Sequence, residues 1–137
     1  GVPVMGMLRL PTKTSNGRAN LHQGGIGAAI DLRTGQTFGG VCKNRFIDVH
    51  PDTGVTTNGI EIPDWMNILA VAMKLSDAID LDYLGVDFVL DVKKGSVVIE
   101  ANARPGLSIQ IANQCGLWPK LNYVDLQPAH TLSIKER

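Results

Sequence analysis

Between Gly85 and Gly106 the chain reads GVDFVLDVKKGSVVIEANARPG, and this stretch limits what the rest can become. Val86, Phe88 and Leu90 alternate with Asp87, Val89 and Asp91. After Lys93-Lys94-Gly95-Ser96, Val97, Ile99 and Ala101 alternate with Val98, Glu100 and Asn102. A period of two on both sides of a turn signal predicts a β-hairpin with one face on a core. Centring the turn on Lys94-Gly95 pairs Val92 with Val97, Asp91 with Val98, Val89 with Glu100 and Asp87 with Asn102. In that register Val86, Phe88, Leu90, Val97, Ile99 and Ala101 share the apolar face. Asp87, Glu100 and Asn102 share the other. A slip of one residue would mix carboxylates into the apolar face, so the pattern selects this register.

The polar face has chemical content. Directly opposed residues have Cβ atoms roughly 4.5–5.5 Å apart, and this register makes Glu100 a diagonal neighbour of Asp87. Two carboxylates that close repel unless one takes a proton or a cation sits between them. An all-oxygen set of Asp87, Glu100 and the Asn102 amide suits a hard cation. Mg²⁺ takes one or two carboxylates and keeps its other positions for water and substrate phosphates. The competing reading is a solvated strand face, where most such charges sit.

Upstream, Pro11 to Gly25 is a polar loop, PTKTSNGRANLHQGG, with Ser15-Asn16-Gly17 as a turn signal. It offers Lys13, Arg18, Asn20, His22 and backbone N–H groups near glycines. Arginine binds phosphate or carboxylate through two parallel hydrogen bonds, and glycines allow close backbone approach and anion nests. Gly24-Gly25 does not match a P-loop. Such a loop is otherwise a flexible connector, and a lone His22 is otherwise a packing residue.

The remaining elements follow from periodicity. Val2 to Leu10 reads as a strand beginning abruptly, with Arg9 near its end. Ile26 to Leu32 and Thr37 to Val41 read as strands joined by Arg33-Thr34-Gly35-Gln36, with a glycine available for positive φ. Lys43 to Val55 is loop-rich, and His50 lies on a solvated turn. Trp65, Ile68, Leu69, Ala72, Leu75 and Ile79 recur at threes and fours, predicting an amphipathic helix over Pro63 to Ile79 with Asp64 as N-cap. Leu107 to Gln114 reads as a second helix with Gly116 as its C-cap; Ser108 and Gln110 on it point to the site. Trp118-Pro119 breaks that helix, and Ser133 to Arg137 reads as a frayed end. The pattern predicts an α+β fold: an antiparallel sheet with helices mainly on one face.

At 137 residues the chain suits one domain. Thirteen basic and thirteen acidic residues cancel, so no long-range field argues for nucleic acid or a membrane surface. No apolar run is long enough to span a bilayer. Cys42 and Cys115 form no metal-ligand spacing, and free thiols are expected of a cytoplasmic chain.

Asp87, Glu100-Ala101-Asn102 and the following Arg104-Pro105-Gly106 resemble the metal-binding end of ATP-grasp ligases. Gly17-Arg18-Ala19-Asn20-Leu21-His22-Gln23-Gly24-Gly25 resembles the arginine-asparagine-histidine-glycine loop of the branch that ligates glutamate to a ribosomal protein. The match overall is with α-L-glutamate ligase-like or sugar-transfer-associated ATP-grasp proteins, from about Gly1 to Gly116. The resemblance implies the C-terminal subdomain of an ATP-grasp fold at 1–116 and an extension at 117–137. It implies ATP and Mg²⁺, with Mn²⁺ as the alternative, held by Asp87, Glu100 and Asn102. It makes the 11–25 loop a triphosphate and substrate lid in which Arg18 and Asn20 act in catalysis and bind the nucleotide. Arg9 matches a basic position facing the phosphates.

The implied reaction joins a small-molecule or peptide carboxylate to an amine through an acyl phosphate. No Ser-His-Asp or Cys-His spacing argues for a hydrolase instead. The lysines and hinge that hold adenine in this family precede anything in the chain. An upstream ATP-grasp subdomain is therefore an expected partner, and the segment alone is expected to be inactive. The alternatives are a non-catalytic nucleotide-binding descendant acting as scaffold or regulator, and an unrelated α+β domain with a cation site.

Overall fold

The structure, a computed structural model, describes residues 1–126. The expected frayed end, Ser133 to Arg137, lies outside the described residues. The fold is α+β, with antiparallel strands and three α-helices among the described residues, and the strands divide between two sheets. The chain forms two compact units.

One unit holds Met5–Ile62 and Leu107–Leu117. Strands β1 (Gly6–Leu10), β2 (Ile26–Ile30), β3 (Thr37–Cys42) and β4 (Arg45–Phe46) form an antiparallel sheet in that order. Every residue of β2 is buried. Its small Gly27, Ala28 and Ala29 allow elements to close in on the central strand. Opposite Ala28, β3 carries two residues, Gly39 and Gly40, and this bulge places Gly39 at φ 63°. A Cβ on Gly40 would sit 2.7 Å from Thr57 Oγ1 and 2.9 Å from the Ile47 carbonyl, so the 47–62 segment lies directly against the strand. The buried polar groups there are paired. Thr57 Oγ1 donates to the Ile47 carbonyl, Thr37 Oγ1 donates to the Thr57 carbonyl, and Ile60 N–H donates back to Thr37 Oγ1.

The loop after β2 forms as expected. Asp31 Oδ1 accepts from the N–H groups of Arg33 and Thr34, and Gly35 takes φ 74°. The stretch read as loop-rich after β3 holds a further strand. Lys43 and Asn44 both take positive φ, 49° and 60°, making a two-residue turn that pairs Cys42 with Arg45. Positive φ at both central residues is the turn whose twist matches the flanking strands. β1 is shorter than expected, starting at Gly6 rather than Val2.

Helix α2 (Ser108–Ala112) packs against β1, β2 and β3 through buried Ala112. Asn113 Nδ2 donates to the Gly6 carbonyl at 3.1 Å, which ties the helix end to β1. The helix stops two residues before the expected end. Gln114 takes the left-handed conformation, at φ 50°, in the place expected of Gly116. Gln110, expected at the site, instead accepts from Leu117 N–H at 2.7 Å.

The other unit holds Gly1–Val4, Pro63–Gly106 and the chain from Trp118. Helix α1 (Trp65–Ala78) begins after Asp64 as expected, and Ile68 and Met73 are its buried residues. Asp64 sits at φ 55° without capping a backbone N–H, and its carboxylate accepts from the Asn67 side chain instead. Helix α3 (Leu117–Asp125) forms where no helix was expected, and it contains the Trp118-Pro119 pair expected to break the preceding helix, which ends earlier, at Ala112. Pro119 falls in the first turn, where the missing N–H would have no intrahelical partner.

Strands β5 (Gly85–Asp91) and β6 (Gly95–Asn102) form the predicted hairpin in a different register. Asp91 pairs with Gly95, so Val92, Lys93 and Lys94 make the turn. Asp91 Oδ1 accepts from the N–H groups of Lys93 and Lys94 at 2.9 and 2.8 Å, and Gly95 takes φ 73°. Asp87 pairs with Glu100 but Phe88 with Val98, which leaves Ile99 as a bulge. The bulge reverses the alternation of β6 on its turn side. Val98, not Ala101, lies opposite Phe88, and Ile99 is 62% exposed rather than on a core face. Val92, expected to pair with Val97, is fully exposed in the turn.

Two predictions follow from this packing. Ile26→Ala should cost about 2–5 kcal/mol in urea unfolding, while Val92→Ala should stay within about 0.5 kcal/mol; equal effects would contradict the packing described. The Lys94 and Lys93 N–H groups hold the Asp91 carboxyl below its ordinary value of 3.8. A lowered folded value means that this turn's contribution is present above the ordinary range and is lost as pH falls through the folded value. A carbon-detected NMR titration should therefore place the Asp91 midpoint below 3.8; a midpoint at or above it would refute the turn geometry.

Candidate functional site

The hairpin brings Asp87 and Glu100 directly opposite one another, and Asn102 opposite Gly85. The expected register had set Asp87 against Asn102, with Glu100 on the diagonal. The bulge at Ile99 and the tighter turn replace the diagonal with direct opposition. Opposed residues share a face, as do alternate residues along a strand, so Asp87, Glu100 and Asn102 project from one face of the hairpin. Asp87 and Asn102 are half-buried and Glu100 is exposed. A Cβ on Gly85 would lie 2.5 Å from Pro105 Cβ. The chain beyond Asn102 thus folds back over the start of β5, an approach that only glycine permits.

Two carboxylates and an amide oxygen form a hard donor set that fits Mg²⁺. Among the described residues no three or more of His, Cys, Asp and Glu gather as a metal-binding group. Asp87, Glu100 and Asn102 would supply only part of a coordination shell, with water and phosphate as further ligands.

The 11–25 loop, in the unit of the four-stranded sheet, is a built structure rather than a flexible connector. Thr12 and Ser15 are buried at 4% and 2% exposure. Thr12 Oγ1 donates to the Gly24 carbonyl at 2.8 Å and accepts from Ser15 N–H, while Ser15 Oγ accepts from Thr12 N–H. Lys13 N–H donates to Asp52 Oδ2 at 2.7 Å. His50, expected to be solvated, ties the loop down. Its Nδ1 accepts from Asp52 N–H, so Nε2 carries the proton that bonds the Pro11 carbonyl at 2.9 Å.

Within this loop Leu21–Gln23 forms a 3-10 turn capped by Asn20. Asn20 Oδ1 accepts from His22 N–H at 2.9 Å, and its carbonyl accepts from Gln23 and Gly25. Gly24 takes φ 93° and donates to Leu21, and a Cβ on Gly25 would lie 2.8 Å from Asn20 backbone atoms. The paired glycines therefore close the loop on itself; their N–H groups are used internally and form no anion nest. Arg18 is exposed, and its Nη1 lies 3.5 Å from Gln23 Oε1. Arg9 lies opposite Gly27, on the face where Leu21 and Met7 crowd that glycine. The sheet thus carries Arg9 on the same side as the turn that presents Asn20.

On that side a cleft of about 270 Å³ is lined by Leu21, His22, Val41, Lys43, Asn44, Ser108 and Ile111. Ser108 Oγ lies 3.5 Å from His22 Nε2. Lys43, Asn44 and Ile111 had no place in the expected site. Neither Lys43 nor Asn44 is glycine, so the usual two-residue hairpin signal is missing from the sequence.

The description "sugar-transfer associated ATP-grasp" belongs to the family whose model matches residues 1–126. This chain is a member of that ATP-grasp family. No curated protein and no solved structure matches it. Membership gives the chain a general ATP-grasp function, that of an ATP-dependent, ligase-like enzyme; proteins of the family typically use ATP and Mg²⁺. Among the described residues no helix is long and apolar enough to cross a membrane.

The ATP-grasp loop generates a direct test. Gly25→Ala should destabilise the chain by about 1–3 kcal/mol and shift the backbone amide resonances of Asn20 and His22. Unchanged resonances would mean that the loop does not close through Gly25.

Proposed function

We propose that the chain is the metal-binding part of a carboxylate–amine ligase of the glutamate-ligase-like type, which forms an amide through an acyl phosphate. One observation carries this reading: the opposed pair Asp87 and Glu100, with Asn102 on the same face and the Pro105-Gly106 fold-back beside it. Like charges directly opposite in a sheet are destabilising. A hairpin that keeps them opposed on one face is suited to a cation, and the family's use of ATP and Mg²⁺ names it.

Asp87, Glu100 and the Asn102 amide oxygen would hold Mg²⁺. When bound, the ion neutralises charge on the terminal phosphates of ATP. Phosphoryl transfer requires positioning and charge neutralisation more than a protein nucleophile. Arg18 supplies an exposed guanidinium for the transferring phosphoryl group and Asn20 supplies its Nδ2 donor, while Arg9 faces the phosphates from β1. The γ-phosphoryl group passes to a carboxylate oxygen, giving an acyl phosphate and ADP. The amine then attacks the acyl carbon, forming the amide and releasing phosphate and a proton. Residues 1–116 form the C-terminal part of the ATP-grasp domain and 117–137 an extension. Adenine is held by an upstream subdomain, without which the segment does not turn over. The enzyme works in the cytoplasm on small-molecule or peptide carboxylates and amines.

In the full-length protein, Glu100→Gln should lower ADP formation by about 10²-fold or more while leaving the circular dichroism spectrum unchanged. Wild-type ADP release in that variant would remove Glu100 from the mechanism.

A further inference from the structure

The cleft beside the 3-10 turn has a composition that selects its occupant. Leu21, Val41 and Ile111 give it apolar walls. Its polar groups are Lys43, Asn44, His22 and Ser108, and no carboxylate lines it. Among the described residues Lys43 has no carboxylate partner. Its stem lies over the loop, since a Cβ on Gly24 would sit 3.3 Å from Lys43 Cε. Lys43 and Asn44, the central residues of the two-residue turn, both line the cleft. At about 270 Å³ the space is at or below the small end of ligand pockets, roughly 300–1,000 Å³. That size suits a molecule the size of an amino acid.

We propose that this cleft seats a small carboxylate with a short apolar body, its carboxylate anchored by Lys43 and Asn44 and its chain against Leu21, Val41 and Ile111. On the ligase reading above, this molecule is a substrate whose carboxylate serves as anchor or acyl group; the pocket itself stands without that reading. The His22–Ser108 pair lies at the polar rim, where it hydrogen-bonds the remaining polar group of the substrate.

The test uses the full-length protein, by saturation-transfer NMR without nucleotide and by ADP release with it. The probes are isovalerate, L-leucine and L-glutamate, each against its matched amide, with inorganic phosphate as a further anion. At least one carboxylate should bind wild type while its amide and phosphate do not. Lys43→Ala should raise the KM of that carboxylate about tenfold or more, leave the KM of ATP within twofold and leave Tm unchanged. Lys43→Arg should recover part of the loss, and Ile111→Trp should block binding by filling the cleft. Carboxylate binding without ADP release under any pairing would sink the ligase reading and keep the pocket. ADP release with an unchanged carboxylate KM in Lys43→Ala would sink the pocket and keep the ligase. Binding of phosphate in place of every carboxylate would also overturn the assignment.

Discussion

Two carboxylates held face to face across a pair of strands are the constraint on which the functional reading turns. Cross-strand pairs stabilise a sheet when they are apolar or oppositely charged, and oppose it when they carry the same charge. Asp87 and Glu100 are paired residue for residue all the same. The hairpin is secured at its other end. Asp91 accepts two backbone N–H groups at the turn, Gly95 takes the positive φ the turn requires, and Val89 pairs with Val97. The turn end of the hairpin is thus tied by backbone hydrogen bonds, and the other end carries the paired carboxylates, between which a divalent cation would fit.

The second unit follows the opposite logic. Its loop spends most of its polar groups on itself. Thr12, Ser15, the Asn20 carbonyl and the paired glycines are committed to internal hydrogen bonds, and His50 and Asp52 tie the loop to a neighbouring turn. What remains outward is a short set of donors: the Arg18 guanidinium, Asn20 Nδ2 and the Lys43 ammonium. A backbone that satisfies itself so fully holds the Cα positions from which these donors project.

Alternation made the hairpin and the shared face of Asp87, Glu100 and Asn102 legible in the sequence. Strand periodicity carries no mark of a bulge, however, and the extra residue at Ile99, together with the tighter turn, converted a diagonal pair into a direct one and put Val98 opposite Phe88. The turn at Lys43-Asn44 was hidden for a related reason: neither residue is glycine, yet both adopt positive φ. Helix α1 was readable from its apolar stripe, and the start of α3 was not, because a proline in a first turn looks locally like one that ends a helix. The glycines of the 11–25 loop were visible as special. Their role in closing the chain on Asn20 depends on contacts that letters do not show.

The central claim is that the face carrying Asp87, Glu100 and Asn102 holds a divalent cation together with nucleotide phosphate. The most direct measurement is paramagnetic broadening by Mn²⁺ in the full-length protein, recorded with and without ADP. The account predicts that low Mn²⁺ in the presence of ADP broadens the backbone resonances of residues 87, 100 and 102 first, with much weaker broadening when ADP is left out. Sharp resonances at those three positions, with broadening elsewhere under the same conditions, would contradict it.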